Sequence, residues 1–373
     1  MRILLALLLI GCAPKKEISE LGFSAGIHPV RFRPNDFARA ANGETLETAA
    51  SCGKCHTVQH ANWLKSRHRV AFTNPLYQES HARENMVWCV NCHAPLMKPE
   101  GNPPKVTDRL LVEEGISCNV CHVREGKIIT GKMPVPAPDK APAHTYTIVP
   151  DMKNEKMCES CHQFNFPTHE SLALSATQPI EYASLPMQDT VEEWRRGGLA
   201  NLSCQGCHLL GGDQSHLFPG GHDLARVSEA IDLEFQQSGE LVKAFVHTRG
   251  VAHSFPTGDL FRAVRIRIYD KMDLVHEEIL KKDYGNVTPE ALVPGGAAKR
   301  LVSDTTIAPP GPGEFTSYRT FLFKALPGTA LRYEIHMDYL HGMNHVITRL
   351  PLQETMPLVR TGTVTIGRRE NPN

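Results

Sequence analysis

Cys52-Gly-Lys-Cys55-His56, Cys89-Val-Asn-Cys92-His93, Cys118-Asn-Val-Cys121-His122, Cys158-Glu-Ser-Cys161-His162 and Cys204-Gln-Gly-Cys207-His208 are five copies of one pattern within 157 residues. Two thiols three positions apart can form thioether bonds to the vinyl groups of one haem. The histidine that follows then lies under the iron as its proximal ligand. A closed zinc site needs four ligands around each metal and gives no reason for a histidine directly after every second cysteine. Ten of the eleven cysteines belong to these motifs, which leaves none for disulfides. The pattern predicts five haem c groups, with Cys52, Cys55, Cys89, Cys92, Cys118, Cys121, Cys158, Cys161, Cys204 and Cys207 as attachment points. His56, His93, His122, His162 and His208 are the expected proximal iron ligands.

The eleventh cysteine is Cys12. Before it stand Arg2 and an apolar run from Ile3 to Ile10, too short to span a bilayer and typical in length of an export signal. Leu9-Ile10-Gly11-Cys12 resembles a bacterial lipoprotein signal, in which Cys12 is acylated and residues 1–11 are removed. Ala13 after Cys12 favours the outer membrane by resemblance to sorting signals. The expectation is an exported lipoprotein facing the periplasm, with the cell surface also open, held to the membrane by its lipid anchor. Lys and Arg total 40, as do Asp and Glu, and there is no basic patch of the kind nucleic-acid binding requires. Ten propionates would make the loaded protein more acidic than its chain.

Spacing sets the architecture. Successive motifs begin some 30 to 46 residues apart, too little chain to enclose each haem in its own globule. The haems are expected to pack on one another inside short helices and long loops. Gln59 to Phe72 and Thr190 to Arg196 read as two of those helices, the second stopped by Gly197-Gly198. Beyond about Ser238 the apolar period becomes two: Val264, Ile266 and Ile268 alternate with Arg265, Arg267 and Tyr269, and Leu331, Tyr333, Ile335 and Met337 with Arg332, Glu334, His336 and Asp338. Leu241 to His247, Thr316 to Phe323 and Thr363 to Ile366 are further strand candidates. The expected fold is α+β: signal 1–11, tether and irregular arm 12–47, a mostly helical and irregular pentahaem domain 48–237, and a β-sandwich-like domain 238–373.

Residues 50 to about 270 resemble the multihaem cytochrome c superfamily that includes the tetrahaem carrier serving hydroxylamine oxidoreductase and, more distantly, that oxidoreductase and pentahaem nitrite reductase. The resemblance rests on Trp63-Leu64-Lys65-Ser66-Arg67-His68, Trp88 to Pro95, Glu192-Glu193-Trp194 ahead of the fifth motif, and Ala252-His253-Ser254-Phe255-Pro256-Thr257-Gly258. It implies His68 as a distal ligand. The chain departs from the two enzymes: none of its motifs ends in Lys, and no tyrosine is marked for a cross-link.

A haem with two axial imidazoles passes electrons, whereas one with a single imidazole is open to a small molecule. Fourteen histidines remain for the distal positions. The candidates are His68; His144, after a Pro-rich loop; His216 and His222, on a Gly-rich loop; and His253, in the Pro-Thr-Gly context. His28 and His169 stand in reserve. The sequence therefore predicts electron transfer between redox partner proteins, other cytochromes or a quinol-linked donor, with no catalytic residue. The alternatives are a reductase or oxidase of a nitrogen or sulfur oxyanion at one five-coordinate haem, and a structural subunit of an electron conduit.

Overall fold

The computed structural model describes residues 37–83, 89–96, 109–133, 143–173, 181–209, 212, 215–341 and 348–367. Cys12, the signal 1–11 and His28 lie outside them. No helix among the described residues is long and apolar enough to cross a membrane.

Each motif sits on a short helix: Ala49–Gly53, Val90–His93, Cys118–His122, Lys156–His162 and Cys204–His208. In the last four the histidine is the final helical residue. Local hydrogen bonds define these helices where length cannot. Thr48 and Ser203 accept the amide protons of Ser51 and Gly206, and the buried Glu114 carboxylate accepts the Ala49 amide from 65 residues away. Arg195 binds Glu159 and Glu155 of the fourth motif's segment and Glu192 of its own helix, so the helix Thr190–Arg196 is braced against the fourth motif.

Fourteen strands are described: β1 Val123–Arg124, β2 Lys127–Thr130, β3 Tyr146–Ile148, β4 Gln163–Pro167, β5 Tyr182–Asp189, β6 Ile231–Ser238, β7 Leu241–Arg249, β8 Ala263–Asp270, β9 Asp273–Leu280, β10 Lys282–Asn286, β11 Lys299–Asp304, β12 Thr316–Lys324, β13 Ala330–Asp338 and β14 Leu358–Thr365. Helices and several sheets together make a mixed α+β fold. Two antiparallel sheets, ordered β12-β7-β6 and β14-β13-β8-β9, share one apolar core. Val242, Ala244 and Val246 come from the first sheet and Val264, Ile266, Ile268, Leu331 and Ile335 from the second. In β7 and β8 every second residue is buried, as a strand with one face on the core requires. The first of these strands, β6, lies ahead of the expected boundary at 238. Its own alternation, Ile231, Leu233 and Phe235 against Asp232, Glu234 and Gln236, carries the strand signal.

Two features differ from the sequence expectation. The helix expected over Gln59 to Phe72 runs only over Thr57–Trp63. Ser66 Oγ donates to the Trp63 carbonyl at 2.7 Å and accepts the Arg69 amide, so the chain turns away instead of extending the helix. Strands also occur between the motifs, where none was expected. β1 and β4 leave directly from His122 and His162, and β4 is buried along its whole length against β5.

Candidate functional site

The 64–68 turn is built from distant stretches of the chain. Trp63 Nε1 donates to the Ile116 carbonyl at 2.8 Å, and the Ile116 amide donates to the His68 carbonyl at 3.0 Å. Gly115 has φ +61, and a Cβ there would stand 2.7 Å from the His68 carbonyl oxygen, so only glycine fits this approach. The result is a fixed His68 facing His162, with ring centroids 6.4 Å apart.

The same relation recurs three times. His144 faces His56 at 6.1 Å, His216 faces His122 at 6.3 Å, and His253 faces His208 at 6.4 Å with the rings 11° from parallel. Stacked rings in contact sit closer. Two metal–nitrogen bonds of about 2 Å plus the half-widths of two imidazoles come to roughly 6 Å, so each gap admits one six-coordinate iron. The four pairs fit the group that the motifs imply.

Hydrogen bonds select the tautomer. Nδ1–H of His93, His122 and His208 donates to the carbonyls of Ala71, Ile129 and Pro219 at 2.8, 3.1 and 2.6 Å. Those of His144 and His253 donate to Thr145 and Ser254 at 3.2 and 2.9 Å. In each case Nε2 is left bare, the form that ligates a metal. Burial pulls His68 down to about 3 and His122 and His162 to about 4, with neighbouring imidazoles adding to the effect, so all three are neutral at pH 7. His162 nevertheless carries open surface.

The ten motif cysteines form no disulfide with one another. Cys52 is within hydrogen-bond reach of Cys118, Cys92 of Cys161, and Cys158 of Cys204. Cys121 lies in electrostatic reach of Cys158 and Cys161. The motifs thus follow one another in space as first, third, fourth and fifth, with the second beside the fourth. Phe218 joins two neighbours, packing on His68 at 4.6 Å and on His216 at 5.8 Å.

His93 and His222 stand apart from this pattern. Among the described residues no second imidazole stands opposite His93 at such a distance. Tyr77 stacks on its ring at 3.8 Å, and both Tyr77 Oη and His81 Nε2 are buried without a hydrogen-bond partner among the described residues. His222, expected as a distal ligand, stacks instead on Tyr339 at 4.0 Å, and Tyr339 Oη donates to the Gly221 carbonyl. Burial, with Arg262 and Arg67 nearby, pulls His222 down to about 2. His169 of the reserve pair lies against Gly296, its Nδ1–H donating to that carbonyl.

Sequence reasoning missed Glu193, Thr257, Lys282 and Tyr77. Glu192-Glu193-Trp194 and Pro256-Thr257-Gly258 were visible as signatures, but nothing in either segment tells that the two meet. Glu193 is 1% exposed and binds Lys282 Nζ and Thr257 Oγ1.

Residues 51–123 match the family of cytochrome c554 and c-prime. Among solved structures, a penta-haem cytochrome c552 from Thermochromatium tepidum covers 86% of this chain and 98% of its own, with 19% identity and a TM-score of 0.63. A β-glucosidase 3B from Thermotoga neapolitana covers 37% of this chain and 15% of its own at 11% identity, and its TM-score of 0.15 carries no weight. No curated protein matches the chain. The fold is that of a multihaem c-type cytochrome, and the first three motifs lie in a cytochrome segment.

Proposed function

We propose that this protein carries five haems c on its five motifs and passes electrons between redox partners through them. The observation that supports the reading best is the set of four imidazole pairs spaced 6.1 to 6.4 Å, each joining a motif histidine to a histidine from elsewhere in the chain. Bound haem supplies a one-electron change at iron, and two imidazole ligands close that iron to other chemistry. The residues do the rest. Backbone carbonyls orient His122, His144, His208 and His253, burial keeps His68, His122 and His162 neutral, and neighbouring motifs stand close to one another. We further propose export as a lipoprotein through Cys12, with an outer-membrane tether and other cytochromes or a quinol-linked donor as partners. The β region caps the haem region and supplies His253.

A second reading is favoured at the second motif. Among the described residues no imidazole faces His93 at the spacing of the four pairs, Tyr77 stacking on its ring instead, and a haem so left would be five-coordinate and open to a small nitrogen or sulfur oxyanion. Electron paramagnetic resonance of the ferric protein separates the readings. Four low-spin signals and one high-spin signal, with carbon monoxide binding to one reduced haem, are expected. Five low-spin signals would remove the open site and leave a pure relay, while two or more high-spin haems would overturn the imidazole pairing.

A further inference from the structure

The His253 segment is held on both sides by one helix of the haem region. Within Thr190–Arg196, the Glu193 carboxylate receives Lys282 Nζ on Oε1 and Thr257 Oγ1 on Oε2, the latter at 2.6 Å. Thr257 has one hydroxyl proton, which goes to the carboxylate. Thr190 Oγ1, 2.9 Å away, must therefore donate to Thr257. At the other end of the helix, a Cβ on Gly197 would stand 2.8 Å from the Ala252 carbonyl oxygen, and one on Gly198 only 1.8 Å from that of Gly311. The Gly198 amide donates to the Pro310 carbonyl at 2.6 Å. The β region grips the same segment, since Phe255 and Ile307 exchange both backbone hydrogen bonds at 2.8 Å.

Between these fixed points sits His253, with Nδ1–H turned to Ser254 and its ring facing His208. A carboxylate buried as deeply as Glu193 is costly unless it is paired and hydrogen-bonded, and here both oxygens are engaged. A simple interdomain contact could be made by apolar side chains at less cost. The charge needs a further reason, and its place offers one: the Glu193 carboxylate is bonded to Thr257, four residues from His253 on the same short segment.

We infer that Glu193 is a positioning residue for the fifth motif's distal ligand. It holds the His253 segment through Thr257, and its negative charge favours the oxidised iron. This rests on the proposed ligation of a haem by His208 and His253, and it goes beyond that ligation by assigning the support and the tuning of the site to one buried carboxylate.

Three variants of the full haem-loaded protein test it. Glu193→Ala cuts the tether, and one haem should become partly high-spin and open to carbon monoxide while five haems stay attached. Glu193→Gln keeps the shape but leaves Lys282 uncompensated, and spectroelectrochemistry should show one reduction potential rising while the others hold. Glu193→Asp should return a fraction of both effects. His253→Ala is the reference. If it opens no haem, the ligation itself is wrong. If it opens one haem and neither Glu193→Ala nor Glu193→Gln alters the spectrum or the potential, the ligation stands and the inference about Glu193 fails. A Glu193→Ala protein that cannot be isolated leaves the decision to the potential of Glu193→Gln, where a fall in thermal stability with unmoved potentials marks a purely structural bolt and overturns the inference.

Discussion

The residues from Ile231 onward and the residues before them are organised by opposite means. In the C-terminal region a single apolar core runs through two sheets and collects Ile231, Val246, Ile266, Ile268, Leu331, Ile335 and their neighbours. In the N-terminal region the apolar side chains fall into small separate clusters, such as Ile129, Val149 and Met152, or Leu96, Leu111 and Val120. Such fragments bury too little to order so many loops. What stands between them is the row of facing imidazoles and motif thiols. The contrast teaches that the N-terminal region is completed by its cofactors, whereas the C-terminal region is a protein core in the ordinary sense.

The largest effect is expected from removing one centre of the N-terminal row. Replacing Cys158 and Cys161 with Ser should abolish attachment at the fourth motif and leave the neighbouring loops open, because a bound group contributes its binding free energy to folding. Limited proteolysis read by mass spectrometry should then cut within residues 48–230 while the β region stays intact. Equal resistance in both regions would contradict the contrast.

A core truncation in the β region is the converse experiment. Ile335 is fully buried in β13 between β8 and β14, and Ile335→Ala should cost about 2–5 kcal/mol. Denaturant melts followed by far-ultraviolet dichroism should show the loss in the β transition. The haem Soret band, recorded in the same samples, should keep its low-spin position until that transition. Simultaneous loss of both signals at an unchanged midpoint would show that the two regions do not differ in this way.

The smallest effect concerns acid. Burial by itself would raise Glu277, but hydrogen bonds and charge from Arg267 and Arg265 outweigh it and hold the carboxyl below its ordinary value. A folded value lower than the unfolded one adds stability above the ordinary carboxylate range, and that stability is lost as pH falls through the folded value. Glu277→Gln should therefore lower stability at neutral pH and flatten the acid limb, with the two proteins converging at the lowest pH. Parallel curves would deny Glu277 this role.

Legibility in the sequence followed the same division. Period-two alternation marked β7, β8, β12 and β13, because a sheet with one face on a core imprints its geometry on every second residue. The motif histidines were legible for a covalent reason, and His68 opposite one of them was legible only through the resemblance of the Trp63–His68 segment, since the turn that carries it was read as helix. His222 was not. Its loop carries two imidazoles, of which His216 faces His122 while His222 stacks on Tyr339, more than a hundred residues away in the chain. The partnership of Glu193 with Thr257 and Lys282 was hidden likewise, since a carboxylate on a short helix looks solvated until the elements that cover it are known.

The adjacency of the motif thiols has a consequence best put as a graph. Among the described residues the first site adjoins the third, the third lies in electrostatic reach of the fourth, and the fourth also adjoins the second and the fifth. The fourth vertex has degree three, and every path that joins the second or fifth site to any other crosses it. In the proposed relay, traffic between any two ends along these links passes through one vertex, and the occupancy of that vertex correlates the states of all its branches. A chain of equal links would fail gradually as links weaken; a star of this kind fails at its hub, and there it separates into three pieces at once.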